Sequence, residues 1–134
     1  MTSGGARAAA SVETPTDVTV LRDDGLVQVT IKPGARQTLE DARENVEAVA
    51  SVASGTQRPL LVDMRQAGGI ERPARTYYSG PDGARVITAL AILVSSPMSR
   101  VLGNFFIGLN RMLVPCKLFS DEEDAVAWLR GFLP

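Results

Sequence analysis

The chain has 134 residues, 45% hydrophobic and 22% charged, which suits one domain with its own apolar core and excludes a disordered chain. Its formal net charge of −1 excludes a general binder of nucleic acid or anionic membrane, because phosphate backbones require a basic face. It contains no histidine, so the commonest general base, the usual zinc sites and an imidazole pH switch are all missing.

Residues 1–14 are small and polar and read as a mobile tail, which leaves 15–134 as a single domain. The tail lacks the charged start and apolar stretch of a secretory signal. No run elsewhere is long and apolar enough to span a bilayer, so the cytoplasm is the expected location. Asp17-Val18-Thr19-Val20-Leu21 alternates in the manner of a half-buried strand. Asp23-Asp24-Gly25 is a hairpin turn signal, and Leu26 to Ile31 is the second strand of that hairpin, ended by Pro33-Gly34.

Thr38 is placed to cap a first helix, with Glu40 and Asp41 near its positive end. Leu39, Ala42, Val46, Val49, Ala50 and Ala53 form its apolar stripe, and Gly55 is its expected stop. Leu60-Leu61-Val62 shows no alternation, as expected of a central strand covered on both faces. That strand stops at Asp63, at the edge of an expected exposed turn. Pro73 suits the first turn of a second helix, which Gly80-Pro81-Asp82-Gly83 breaks. Ile87 to Val94 is a second central strand.

Ser95-Ser96-Pro97 then turns the chain into a helix from Met98 to about Asn110, with Val101, Leu102, Phe105, Phe106 and Leu109 on a wide apolar face. Pro115 ends that helix and Lys117-Leu118-Phe119 is the last strand. Cys116, beside it, has no partner for a disulfide and is expected to be a small buried hydrophobe. Ser120 and Glu123 fit a capping box for the closing helix, whose inward stripe is Ala125, Val126, Trp128, Leu129 and Phe132. The fold class is therefore α/β. About five strands form a mixed, mostly parallel sheet that opens with an antiparallel hairpin, and about four helices join the later strands by right-handed crossovers.

This order, the strand ending at Asp63, and the segments Ala91 to Phe106 and Leu118 to Leu129 resemble the STAS domain, the fold of bacterial anti-sigma-factor antagonists. The likeness runs over about Thr16 to Leu133 and is nearest to small stand-alone bacterial STAS-like proteins. In the antagonists an Asp-Ser pair follows the third strand, and phosphorylation of that serine breaks a protein complex. Asp63 matches the acid, Met64 stands where the serine would be, and no Ser or Thr occurs before Thr76. The resemblance therefore implies a regulatory or interaction module without the phosphoserine switch. It also implies homodimerisation or the binding of lipids or nucleotides, as related branches do.

In an open α/β sheet, ligands sit beyond the carboxyl ends of the strands. There Asp63, Arg65, Ser95, Ser96 and Arg100 make a candidate anion site. The competing reading is a local Asp63–Arg65 ion pair, a helix-capping serine and a solvated Arg100. Tyr77, Tyr78, Phe105, Phe106 and Leu109 are candidates for an interaction face or an apolar pocket, against a plain core role. Gly68-Gly69 lacks the Lys-Ser/Thr of a phosphate loop. Asp121 to Asp124 point in successive directions and cannot form one metal shell. No metal and no cofactor are expected. The leading expectation is a non-catalytic module whose partner is another protein or a second copy of itself. The alternative is a small-ligand binder, for a lipid or an anionic metabolite. An enzyme would have to rely on Asp63, Tyr77 or Tyr78 for acid–base chemistry.

Overall fold

The computed structural model describes residues 11–95, 100–101 and 112–134. Six strands make the main sheet: β1 (Ser11–Glu13), β2 (Asp17–Leu21), β3 (Val27–Ile31), β5 (Arg58–Asp63), β7 (Ile87–Leu93) and β8 (Cys116–Phe119), in that spatial order. β1, β2 and β3 pair antiparallel, and β3, β5, β7 and β8 pair parallel. The short strands β4 (Arg36–Gln37) and β6 (Gly69–Ile70) pair beside it. Four described helices, α1 (Leu39–Ala53), α2 (Arg72–Ser79), α3 (Pro81–Ala84) and α4 (Glu122–Arg130), join and cover the strands. The expected hairpin and mixed, mostly parallel sheet are present. Ser11–Glu13, expected in the tail, instead extends the sheet by an edge strand paired with Val18–Val20.

Period-two alternation divides the core between the two faces. Val27, Val29, Ile31, Leu60, Met64, Leu90 and Ile92 pack on one side with Ala42, Val49 and Val52 of α1. Leu61, Ala89, Ala91 and Leu93 pack on the other with Ala125, Val126 and Leu129 of α4. Register holds these sets together, since Val29 pairs with Val62, Val62 with Ile92, and Ile92 with Leu118. Full burial of a side chain such as Leu61 contributes roughly 1.5–3 kcal/mol. Trp128 closes the α4 side, with its ring centroid 5.7 Å from Phe119 and 4.9 Å from Phe132.

The helix ends follow local chemistry. The Thr38 hydroxyl accepts from the Asp41 amide at 3.3 Å, and the Asp41 carboxylate accepts from the Thr38 amide at 2.9 Å. At the other end the left-handed turn begins at Ser54 (φ 54°) and continues through Gly55 (φ 82°), one residue before the expected stop. The cap of α4 is Asp121 rather than Ser120. Its Oδ1 accepts from the amides of Glu123 (2.8 Å) and Asp124 (3.3 Å). β8 runs to Phe119 and leaves Ser120 in an exposed bend, and a carboxylate suits the positive helix end better than a hydroxyl. The helix expected from Met98 to Asn110 lies outside the described residues, except Arg100 and Val101, which are helical and exposed.

Candidate functional site

β5 and β7 run parallel, with Asp63 opposite Leu93, so their carboxyl ends share one rim. Asp63 Oδ1 accepts from the Arg65 backbone amide and from Arg65 Nε, both at 3.0 Å, and Oδ2 accepts from Arg65 Nη2 at 2.8 Å. Arg65 Nη2 also lies 3.4 Å from Glu122 Oε1 at the start of α4. The ion pairs continue along α4: Glu122 is 4.0 Å from Arg22, Arg22 is 3.0 Å from Asp24, and Asp24 is 3.4 Å from Arg130. Burial raises the Asp63 carboxyl, but hydrogen bonds from the Arg65 side chain and backbone, with the Arg65 charge, outweigh it and hold Asp63 below the usual carboxylate range. The Asp63 hydrogen bond in turn raises the Arg65 guanidinium.

Of the expected anion site, Asp63 and Arg65 come together, and they pair with each other. An anion at Arg65 would have to compete with two carboxylates. Ser95 is exposed just beyond β7 and Arg100 is exposed, while Ser96 lies outside the described residues. Met64, expected in an exposed turn, is a core residue with 2% exposure. Its amide donates to the Leu93 carbonyl at 3.0 Å, which continues the β5–β7 ladder one residue past the strand and turns the side chain inward. The turn becomes exposed only at Arg65 and Gln66.

A second polar constellation lies under α1. Asp17 is 0% exposed. Its Oδ1 accepts from the Thr14 hydroxyl at 2.9 Å and its Oδ2 from Gln37 Nε2 at 3.0 Å. Gln37 Nε2 also reaches Thr16 Oγ1 at 3.2 Å, and its Oε1 accepts from the Tyr78 hydroxyl at 2.8 Å. Asn45 Nδ2 donates to Thr19 Oγ1 at 3.4 Å. Burial raises the Asp17 carboxyl, and hydrogen bonds from Thr14, Asn45 and Gln37 only partly offset it. Burial, with the nearby Asp17 charge, also raises the Tyr78 hydroxyl strongly. Gln37, Asn45 and Tyr78 form one end of a cavity of about 60 Å³. Its other walls are apolar and include Val29, Ile31, Val62 and Ile92 of the sheet and Val46 and Val49 of α1.

Among the residues expected at a face or pocket, Tyr78 lines this cavity and Tyr77 packs half-buried against the same core. Phe105, Phe106 and Leu109 lie outside the described residues. The sequence reading missed Glu122 as a partner of Arg65 and missed the Asp17–Gln37–Asn45 network. A signal existed for each. A helix following a parallel strand starts at the carboxyl end of the sheet, and Asn45 interrupts the α1 stripe between Ala42 and Val46. Among the described residues no group of three or more His, Cys, Asp or Glu side chains is placed to hold a metal ion, and no helix is long and apolar enough to cross a membrane.

Residues 20–133 match the model of DUF7793, a domain of unknown function. The chain belongs to that family. No curated protein matches it. Among solved structures, it is similar to an uncharacterised DUF3478-family protein with a SpoIIAA-like fold from Shewanella loihica (TM-score 0.55, 17% identity, 89% of this chain and 90% of that one). It is also similar to an anti-sigma factor antagonist from Mycobacterium paratuberculosis (TM-score 0.54, 19% identity, 89% and 99%). An Arthrobacter protein of unknown function matches at 30% identity over 88% of this chain and 95% of that one, with a TM-score of 0.34. The first two likenesses bear out the STAS-like fold for this family member.

Proposed function

We propose that the protein is a non-catalytic regulatory module that works by binding another protein or a second copy of itself, without a phosphoserine switch. The observation that carries this reading is the end of β5. The residue after Asp63 is a buried methionine, Asp63 is held by three hydrogen bonds from Arg65, and no Ser or Thr precedes Thr76 in the helix that follows. The exposed ion-paired rim of Arg65 and Glu122 supplies charge for recognition, which chiefly sets specificity and association rate. The STAS-like fold supports the reading by analogy alone.

The test is a comparison of wild type with Arg65→Glu as baits in the host extract, together with the sedimentation of each purified chain. A partner or dimer that wild type forms and the folded variant loses is the expected result. Equal binding by both would move the interface off the rim. A strict monomer that captures nothing would refute the reading.

A second reading, binding of a small ligand, is favoured by a different observation, the cavity beneath α1. Its polar end is backed by Asp17, which accepts from Gln37, and no cationic side chain is among the described residues that line it. This opposes the anionic metabolite expected at first, because an unpaired anion is costly to bury.

A further inference from the structure

The cavity's polar end has a definite sense of hydrogen bonding. A carboxylate only accepts, so the Gln37 amide turns its NH2 group toward Asp17 and its Oε1 toward the Tyr78 hydroxyl. The same logic orients Asn45, whose NH2 group faces Thr19 Oγ1 and Asp17. The Asn45 oxygen Oδ1 is thereby turned the other way, on a side chain that is 4% exposed and lines the cavity. Among the described residues no donor reaches it. The donors at this end are thus directed away from the cavity, and what the cavity is offered is an acceptor.

Size and lining narrow the occupant. About 60 Å³ accommodates about four to six water-sized groups at roughly 10–15 Å³ each. Ordered water needs two to four polar partners apiece, and among the described residues the walls away from Gln37, Asn45 and Tyr78 are Val, Ile, Leu and Met side chains with one glycine. A cluster of waters would therefore be poorly satisfied there, whereas a hydrocarbon body would not. A molecule with an acceptor at its polar tip would meet the Asn45 oxygen unfavourably, and an anion would meet Asp17 behind it.

We propose that the cavity binds a small uncharged molecule with an apolar body of about four to six heavy atoms and one hydrogen-bond donor, as in a short-chain alcohol, with the donor received by Asn45 Oδ1. This rests on the small-ligand reading and specifies its chemistry.

The test titrates the intact protein with butan-1-ol and, separately, with its isomer methyl propyl ether, which has the same atoms and no donor. Binding is read from the methyl ¹H–¹³C shifts of Val49 and Ile92, and xenon under pressure probes the empty space. The expected result is saturable shifts for xenon and for butan-1-ol, with the ether weaker by roughly tenfold, as fits a buried acceptor left without its donor. Asn45→Leu should abolish that preference while keeping the xenon response. Because the alcohol–ether comparison uses the wild-type chain, it decides the matter even if Asn45→Leu does not fold. Equal binding of alcohol and ether would overturn the proposed ligand class and leave the cavity a binding site. No response to xenon, alcohol or ether would overturn both the proposal and the small-ligand reading.

Discussion

Replacing Gln37 with leucine tests the buried polar network most directly. The two side chains are similar in size, so the change removes hydrogen bonds with little change of packing. Gln37 is 1% exposed and joins Asp17, Thr16 and Tyr78. Loss of a donor to a buried carboxylate costs about 1.5–3 kcal/mol, and loss of an acceptor by the Tyr78 hydroxyl adds about 1 kcal/mol. The variant should therefore be about 2.5–4 kcal/mol less stable at pH 7, or roughly 10 °C lower in Tm. The pH dependence carries a sign. Asp17 has a folded-state pKa above its ordinary value, so the folded chain holds the proton more tightly. Its contribution is fully present below the unfolded value and is lost as pH rises through the folded one. Gln37→Leu removes a lowering hydrogen bond, raises Asp17 further and widens that window, so the penalty should be larger at pH 7 than at pH 4. Urea unfolding followed by far-UV circular dichroism measures both values. The other acids titrate alike in the two chains and cancel in the difference. In an Asp17→Asn background the penalty should no longer vary with pH. A loss below about 0.5 kcal/mol, the range of an ordinary surface substitution, or an equal loss at both pH values, would refute the reasoning.

Asp121→Ala should cost about 1 kcal/mol in chemical denaturation, as a lost helix cap does, while Ser120→Ala stays within about 0.5 kcal/mol; the reverse ranking would return the cap to Ser120. Burial pushes the Cys116 thiol up to about 12, so at pH 8 it remains protonated. An aromatic disulfide reagent should then react with it only slowly until denaturant is added, and prompt stoichiometric reaction of the native protein would contradict the burial. Arg65→Ala should raise the Asp63 carboxyl, as read by carboxyl ¹³C titration. Because Asp63 is lowered in the native chain, its contribution is present above the unfolded value and lost as pH falls through the folded one. The variant should lose part of that contribution, and an unmoved Asp63 would show that Arg65 does not set it.

The strands were legible wherever apolar residues alone decided the faces. Leu60-Leu61-Val62 and Ile87 to Val94 lack polar alternation because helices cover both sides of β5 and β7, and the structure places them at the centre of the sheet. β2 alternates as expected, yet its buried positions are Asp17 and Thr19, while Val18 and Val20 are only half-buried. Pairing explains the phase. Asp17 lies opposite Ile31 and Thr19 opposite Val29, and directly paired residues share a face. That face meets Gln37 and Asn45, so polar groups are satisfied where hydropathy alone would have placed valines. A partner such as Gln37, twenty positions from Asp17, cannot be read from local pattern. The same holds at the rim: the Asp63–Arg65 pair is two residues apart and legible as a competing reading, whereas Glu122, 57 positions from Arg65, is brought there by the parallel crossovers.

Met64 is where the rim and the cavity meet. Its side chain lines the cavity, its amide holds the end of β5 to Leu93, and its neighbours Asp63 and Arg65 form the rim pair. A molecule in the cavity would rest against Met64, and an interior packed at crystal-like density transmits small displacements. The Arg65 side chain carries a direct reporter, since its Nε hydrogen is donated to Asp63 at 3.0 Å. Saturation with butan-1-ol should therefore shift the Arg65 Nε–H resonance, and Met64→Leu should reduce that shift more than it reduces binding. If the methyl signals of Val49 and Ile92 saturate while Arg65 Nε–H does not move, the cavity and the rim are independent. Any linkage that does exist must be reciprocal, so a protein bound at the rim would change the affinity for butan-1-ol by the same factor that butan-1-ol changes the affinity for that protein.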